Sequence, residues 1–509
     1  MIASSVRMLR KHGCRWLASL ACFSAVSGCA TLDPVVAGRD SGESTVRECV
    51  EWFQALDAAV EAAGVRDAQT ARIKGFPYMR LDRFTASLRE SAHAQESAMQ
   101  ALVERLVALD VEARSHEIAN LPAPRLRAAW VGLNEPDIAT ATEQTRECGL
   151  RLLAFDLESG KAADTLLDRL SVPDDYVTAY RVLGLYELSS IPFSMGIRKH
   201  QEETEAAFAR NLQAAVRGAV VRYSPASRPR IGREKVRDIL ERASDNPLRV
   251  PAPVDEALET LFAHYAPSFE VETRADFDRP GALRWRWGDV PEVDAADPAV
   301  YRHVAHTRYK GRNLLQLVYT IWFSERPPES QNDLLAGALD GVVFRVTLAP
   351  DGTPVLYDTI HPCGCYHMFF TTPRAVPLPA PPGEIEWAFV PQKLRALDDS
   401  DRLVVRIASG THYVERVYRD QDDSLARYEL RPYEQLRSLR RMPGGTRSVF
   451  GPDGIVAGTE RGERFLFWPT GIENAGAMRQ WGRHATAFVG RRHFDDADLL
   501  ERRFELDLR

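Results

Sequence analysis

The spacing of apolar residues changes once along this chain, near residue 265. Before that point they recur every three or four positions, the period of a helix with one buried face. Val46, Val50, Phe53 and Val60 form one such stripe, and Leu102, Leu106 and Leu109 form another within a long segment at 84–118. Thr45 and Glu48 stand at capping-box spacing, and Gly64 is placed to stop the first helix. Further helices are predicted at 123–133, 139–157, 175–188, 199–218, 233–243 and 254–264, with Pro in the connections between them. No fixed period recurs, so a regular helical solenoid is not supported. The notably apolar stretch 182–197, VLGLYELSSIPFSMGI, reads as a buried helix–turn.

After residue 265 the period drops to two. Residues 283–287, 301–309 and 315–323 alternate, and the last two flank Lys310-Gly311-Arg312-Asn313 as the arms of a hairpin. A second hairpin joins 342–348 to 355–361 through Ala349-Pro350-Asp351-Gly352, where Pro presets the first turn position and Gly accepts a positive φ. More strands are predicted at 385–390, 402–408, 411–418 and 464–468, and short helices at 432–441 and 494–502. A Pro-rich strap at 373–382 is expected to run extended without pairing. The fold class is therefore α+β: a helical domain at 45–265, then a mainly antiparallel β-rich domain at 266–509.

The first 28 residues stand apart from both halves. Arg7, Arg10, Lys11 and Arg15 precede an apolar run from Trp16 to Val26 that is shorter than the about 20 residues a bilayer span needs. The run ends in Val26-Ser27-Gly28-Cys29, which resembles the lipobox of bacterial lipoproteins. That resemblance covers the signal segment alone. It implies cleavage before Cys29, lipidation of Cys29 with palmitate-type acyl chains, and a tether over 29–44. Ala30, rather than Asp, follows the cysteine, which implies an outer-membrane anchor facing the periplasm.

Removing the leader also changes the charge. It holds four Lys/Arg and no Asp/Glu, so 61 basic face 71 acidic residues in the remainder, a net charge of −10. That balance argues against nucleic acid, whose phosphates demand a basic face. No second apolar run reaches 18 residues, which leaves the lipid as the membrane attachment. Four cysteines remain after the leader and Cys29: Cys49, Cys148, Cys363 and Cys365. An oxidising compartment favours pairing, and Cys49 with Cys148, both in helical segments, is the expected disulfide.

Chemistry concentrates in His361-Pro362-Cys363-Gly364-Cys365-Tyr366-His367. If this segment were extended, its four odd-numbered ligand-type residues would share one face but spread over roughly 20 Å. Ligands of one tetrahedral zinc lie within about 4 Å of each other, so a straight segment cannot supply all four. Pro362 and Gly364 point to a bend. Three readings follow. A soft-metal site, zinc or copper, would use Cys363, Cys365 and at least one of His361 and His367, completed by His303, His306, His484, His493, Asp495 or Asp496. A redox-active Cys-Gly-Cys would work as a strained, exposed disulfide. In the third reading the turn is structural.

Other motifs weigh less. His116-Glu117 opens an H-E-x-x-H-like string, but Asn120 stands where the second His belongs. Tyr319, Trp322, Glu325 and Arg326 could line a pocket, or be core-edge aromatics beside solvated charges. The expectation is a lipoprotein with a small soft-metal site and no assigned reaction. The alternatives are an envelope binding or assembly factor whose helical half docks a protein partner, and a thiol–disulfide redox protein.

Overall fold

The computed structural model of the 509-residue chain describes residue 39 and residues 43–130, 136–158, 162–211, 218–227, 229–286, 290–396, 401–420, 426–442 and 444–509. The leader at 1–28, Cys29 and most of the 29–44 tether lie outside the described residues.

Helix α1 (Ser44–Ala63) has Glu43 at its N-cap with no side-chain hydrogen bond, so the Thr45–Glu48 capping box does not form. Gly64 ends the helix at φ 64°, in the left-handed conformation its position predicted. A short hairpin follows, β1 (Ala71–Ile73) with β2 (Phe76–Leu81), inside the half expected to be helical. Helices α2 (Glu96–Asn120) and α3 (Ile138–Glu158) pack with α1 around Trp52, Phe53, Leu56, Leu102, Leu106 and Leu152. Cys49 on α1 and Cys148 on α3 are disulfide-bonded, 99 residues apart in sequence, with Cα atoms 5.0 Å apart. Closing a loop of that size is worth roughly 4.7 kcal/mol in the chain-entropy model.

Buried ion pairs brace this half and join it to the next. Arg80 binds Asp110 at 3.0 Å and Glu117 at 2.7 Å, so Glu117 serves an ion pair and not a zinc motif. Asp67 receives both Nε and Nη2 of Arg437 at 2.9 Å, across 370 residues of chain. Arg83 likewise reaches Asp175 and Asp495, at 2.9 and 3.2 Å.

Helices α4 (Thr178–Leu183) and α5 (Tyr186–Ala209) follow. They correct the buried reading of 182–197, because Leu183, Leu185, Leu188 and Met195 are between 65% and 74% exposed.

One sheet of eleven strands organises the second half and takes one strand, at 219–225, from within the 45–265 segment expected to be helical. In chain order they are β3 (Ala219–Pro225), β4 (Ser268–Thr273), β5 (Ala299–Tyr309), β6 (Arg312–Arg326), β7 (Gly337–Leu348) and β8 (Pro354–Ile360). The remainder are β9 (Met368–Thr371), β10 (Gln392–Lys393), β11 (Arg402–Ile407), β12 (Val414–Asp420) and β13 (Ala426–Pro432). Their spatial order is β10-β9-β8-β7-β6-β5-β13-β3-β4-β11-β12, with β10 and β12 at the edges.

The two predicted hairpins are present as β5–β6 and β7–β8. The sheet is nonetheless mixed rather than mainly antiparallel. Four neighbouring pairs are parallel: β9–β10, β5–β13, β13–β3 and β4–β11. Turn residues announce hairpins between consecutive strands, whereas parallel neighbours are brought together by long crossovers with no local signal. The strap pairs at 375–377 with 504–506 instead of running free, and 464–467 is a short helix rather than a strand.

Both faces of the central strands are buried, which explains the unbroken buried run from Leu314 to Phe323. Leu315, Leu317 and Phe323 pack with Val236 and Leu240 of α6 (Arg233–Ala243) and Phe262 of α7 (Asp255–Tyr265). The opposite face, with Val318, Val343 and Ile360, is covered by Phe494 of the C-terminal segment.

Replacing Cys49 and Cys148 by Ser together is expected to lower the unfolding free energy by about 2–5 kcal/mol, read from urea denaturation. An unchanged midpoint would mean that helix packing alone holds α1 on α3.

Candidate functional site

The His361–His367 segment is the loop between β8 and β9. The Gly364 N–H donates to the His361 carbonyl at 2.8 Å and the His361 N–H to the Cys365 carbonyl at 3.0 Å, which closes a tight turn. Gly364 has φ 90°, and a Cβ there would lie 2.4 Å from the Ala485 carbonyl oxygen. The C-terminal segment therefore clamps the loop, and the Arg479 N–H donates to the Pro362 carbonyl at 2.8 Å. The bend expected from Pro362 and Gly364 is present.

Its four ligand-type residues are divided. His361 Nδ1 lies 3.1 Å from Asp340 Oδ1, whereas His367 Nε2 lies 3.0 Å from Asp358 Oδ2, an aspartate also held by Arg345. Cys363 and Cys365 are free thiols. The neighbouring Cys363, with burial, pushes the Cys365 thiol well above its ordinary value. Among the described residues no three His, Cys, Asp or Glu side chains gather as a metal-ligand set.

The distant candidates separate likewise. His303 binds Glu434 at 2.8 Å, and His306 stacks on Phe84 with Nε2 on the Pro251 carbonyl at 2.8 Å. His493 sits among Asp174, Asp175 and Asp496, at 3.5, 3.4 and 3.5 Å. Asp495 and Asp496 face Arg83. His484 does meet the loop, at the Pro362 backbone, and burial pushes its pKa down to about 3.

The residue that organises the loop is Asp340, at the start of β7. Its Oδ1 faces His361 Nδ1 and lies 3.5 Å from Arg461, and its Oδ2 faces His412 Nδ1 at 3.0 Å. His412 stacks on Phe323 at 4.0 Å, and its Nε2 lies 3.5 Å from Asp278. Burial opposes charge on Asp340, but Arg461 and the two histidines outweigh it and hold the carboxyl well below its usual range. Burial likewise opposes charge on His412, yet the flanking carboxylates of Asp278 and Asp340 raise its pKa. Burial lowers that of His361. Its Nδ1 faces Asp340, and its Nε2 is a buried atom with no hydrogen-bond partner. Leu339, Tyr366 and His412 all have positive φ, at 55°, 61° and 52°. Such strain, about 1–3 kcal/mol per residue, persists only where the surroundings over-determine it, and it collects at functional sites.

Beside the loop lies a cavity of about 560 Å³, lined by Cys363, Cys365, Tyr366 and Tyr413, with a wall that includes Phe193, Phe389 and Phe467. The Tyr413 and Tyr366 hydroxyls are 2.9 Å apart, and both terminal nitrogens of Arg326 lie 3.3 Å from the Tyr413 hydroxyl. A guanidinium can only donate, so the Tyr413 oxygen accepts from Arg326 and its proton goes to Tyr366. The Tyr366 proton is left for an acceptor outside this chain of bonds. His200 of α5 packs on both phenol rings, at 5.0 and 5.6 Å. Glu463 also lines the cavity, and burial pushes its pKa up to about 7.

Sequence reasoning located the loop and flagged Arg326, but missed Asp340, His412, Tyr413 and Glu463. One signal was readable: Asp340 interrupts an apolar strand, and an aspartate there is rarely buried without partners. Comparison with models of protein families, with curated proteins and with solved structures yields no match.

The folded chain keeps a proton on Glu463 up to about pH 7, while the unfolded chain releases it near the ordinary value of 4.5. The stability this contributes is present at low pH and lost as pH rises through that window. Glu463→Gln is therefore expected to gain on the parent by roughly 3 kcal/mol between pH 4 and pH 8, in denaturation midpoints. Parallel pH profiles for variant and parent would contradict the assignment.

Proposed function

We propose that this chain is a lipoprotein anchored in the outer membrane and facing the periplasm, whose cavity binds an amphipathic ligand with an apolar body and an oxygen-bearing head. The observation that carries the ligand reading is the Arg326–Tyr413–Tyr366 relay, which ends in a hydroxyl donor at a cavity with a largely apolar wall. Small-molecule sites have this composition, mostly apolar with a few placed polar groups. Burial holds the Tyr366 phenol neutral, so it remains a donor. Protonated Glu463 supplies a second donor below about pH 7. The anchor rests on the Cys29 lipobox, and the Cys49–Cys148 disulfide supports an oxidising compartment. This differs from the binding-factor expectation, in which the helical half docks a protein partner.

A second reading rests on the thiol pair. His361 and His367 each turn to a carboxylate of their own, which leaves two adjacent sulfurs as the donor set of the loop. Two thiolates suit copper(I), while a tetrahedral zinc requires four ligands. Closure to a disulfide is the competing fate of the same pair.

A fluorescent long-chain fatty acid is expected to bind the chain, and Tyr366→Phe to weaken that binding about tenfold, the loss of one hydrogen bond of roughly 1–1.5 kcal/mol. Thermal stability should stay close to that of the parent. Equal affinities for parent and variant would remove the relay from ligand recognition. For the second reading, elemental analysis after copper(I) loading under reducing conditions is expected to find about one copper per chain. Cys363→Ser and Cys365→Ser should each abolish uptake, and retention by either variant would place the metal elsewhere.

A further inference from the structure

The mouth of the cavity continues into an exposed apolar surface. Leu183 on α4, Leu185 between the helices and Leu188 and Met195 on α5 are 74%, 65%, 65% and 66% exposed, and Phe465 and Leu466 across from them are 72% and 54% exposed. The two segments are locked together: Phe193 packs on Phe467 at 5.5 Å, Tyr180 on Trp468 at 6.3 Å, and Gly184 sits so close to Pro469 that a Cβ would lie 2.5 Å away. This is a built surface and not a frayed helix. A contiguous apolar patch on a folded protein marks a place where something docks.

We infer that this face docks on a phospholipid bilayer. Two observations select the bilayer over a protein partner. First, Arg39 is pinned to Asp156, and it stands ten positions after Cys29 in the chain. Fully extended, that stretch reaches no more than about 35 Å. A lipid on Cys29 therefore keeps the molecule within that reach of a membrane surface. Second, Pro192, Phe193, Leu466 and Phe467 belong both to the exposed segments and to the cavity lining. Docked this way, the cavity opens toward the acyl chains, and its amphipathic ligand is drawn from the bilayer. That route of entry rests on the ligand reading above, whereas the docking rests on the exposed surface and on the Cys29 anchor.

The chain from Ala30 onward keeps every described residue and lacks the lipid. It is expected to float with phosphatidylethanolamine–phosphatidylglycerol vesicles. Leu188→Glu with Met195→Glu should cut the vesicle-bound fraction at least tenfold, with the melting temperature and the solution binding of fatty acid unchanged, since neither residue lines the cavity. Failure of the parent to float overturns the inference. So does a dimer in sedimentation that the same variants dissociate, because a second copy then covers the face. Flotation without any fatty-acid binding upholds docking and sinks the ligand reading instead.

Discussion

A single buried carboxylate, Asp340, holds the site together. Three strand ends, the β11–β12 loop and a C-terminal arginine meet around it, and none of them is fixed there by the sheet alone. Removing a charge from water into such surroundings is costly, and it persists only with partners on every side. Arg461, His361 and His412 provide them. The same arrangement moves the two histidines apart: the flanking aspartates raise the pKa of His412, while burial lowers that of His361. The strained backbone at Leu339, Tyr366 and His412 is the conformational cost of aiming these groups at one centre.

The same network explains why the cysteine loop is not a tetrahedral cage. A histidine whose Nδ1 faces a buried aspartate has its ring plane fixed, and His361 and His367 are fixed by different aspartates on β7 and β8. The thiols are left to each other. The polar end of the cavity is thus shaped by neighbours that do not line it, among them Arg326 at the end of β6. Chemistry at this site depends on strand ends far apart in sequence.

That dependence decides what could be read from residues alone. The two hairpins were legible because Lys310-Gly311 and Pro350-Asp351-Gly352 write their turns locally. The disulfide was legible by counting, and the bend of the loop from Pro362 and Gly364. The parallel strands were not, since β13 and β3 enter the sheet from opposite sides of the chain with no adjoining turn to announce them. Asp340 with His412 spans 72 residues, a separation that no local pattern reports. The apolar stretch at 182–197 was misread for a related reason. Hydropathy reports that a segment avoids water, but not whether a core or another surface receives it.

The ends of the eleven-stranded sheet carry a consequence for how copies of this molecule meet. An open sheet offers unpaired backbone at its margins, and a long flat apolar margin invites another chain to add a strand. Here one margin is only the two-residue β10. The other, β12, reads Val-Glu-Arg-Val-Tyr-Arg-Asp, with Arg416 capping the Arg210 carbonyl of α5 and Arg419 paired to Asp401. An incoming strand would have to strip those charges from their partners. Growth into fibrils by edge addition is thereby discouraged, so copies of this chain that meet have their faces, and not their sheet margins, to offer each other.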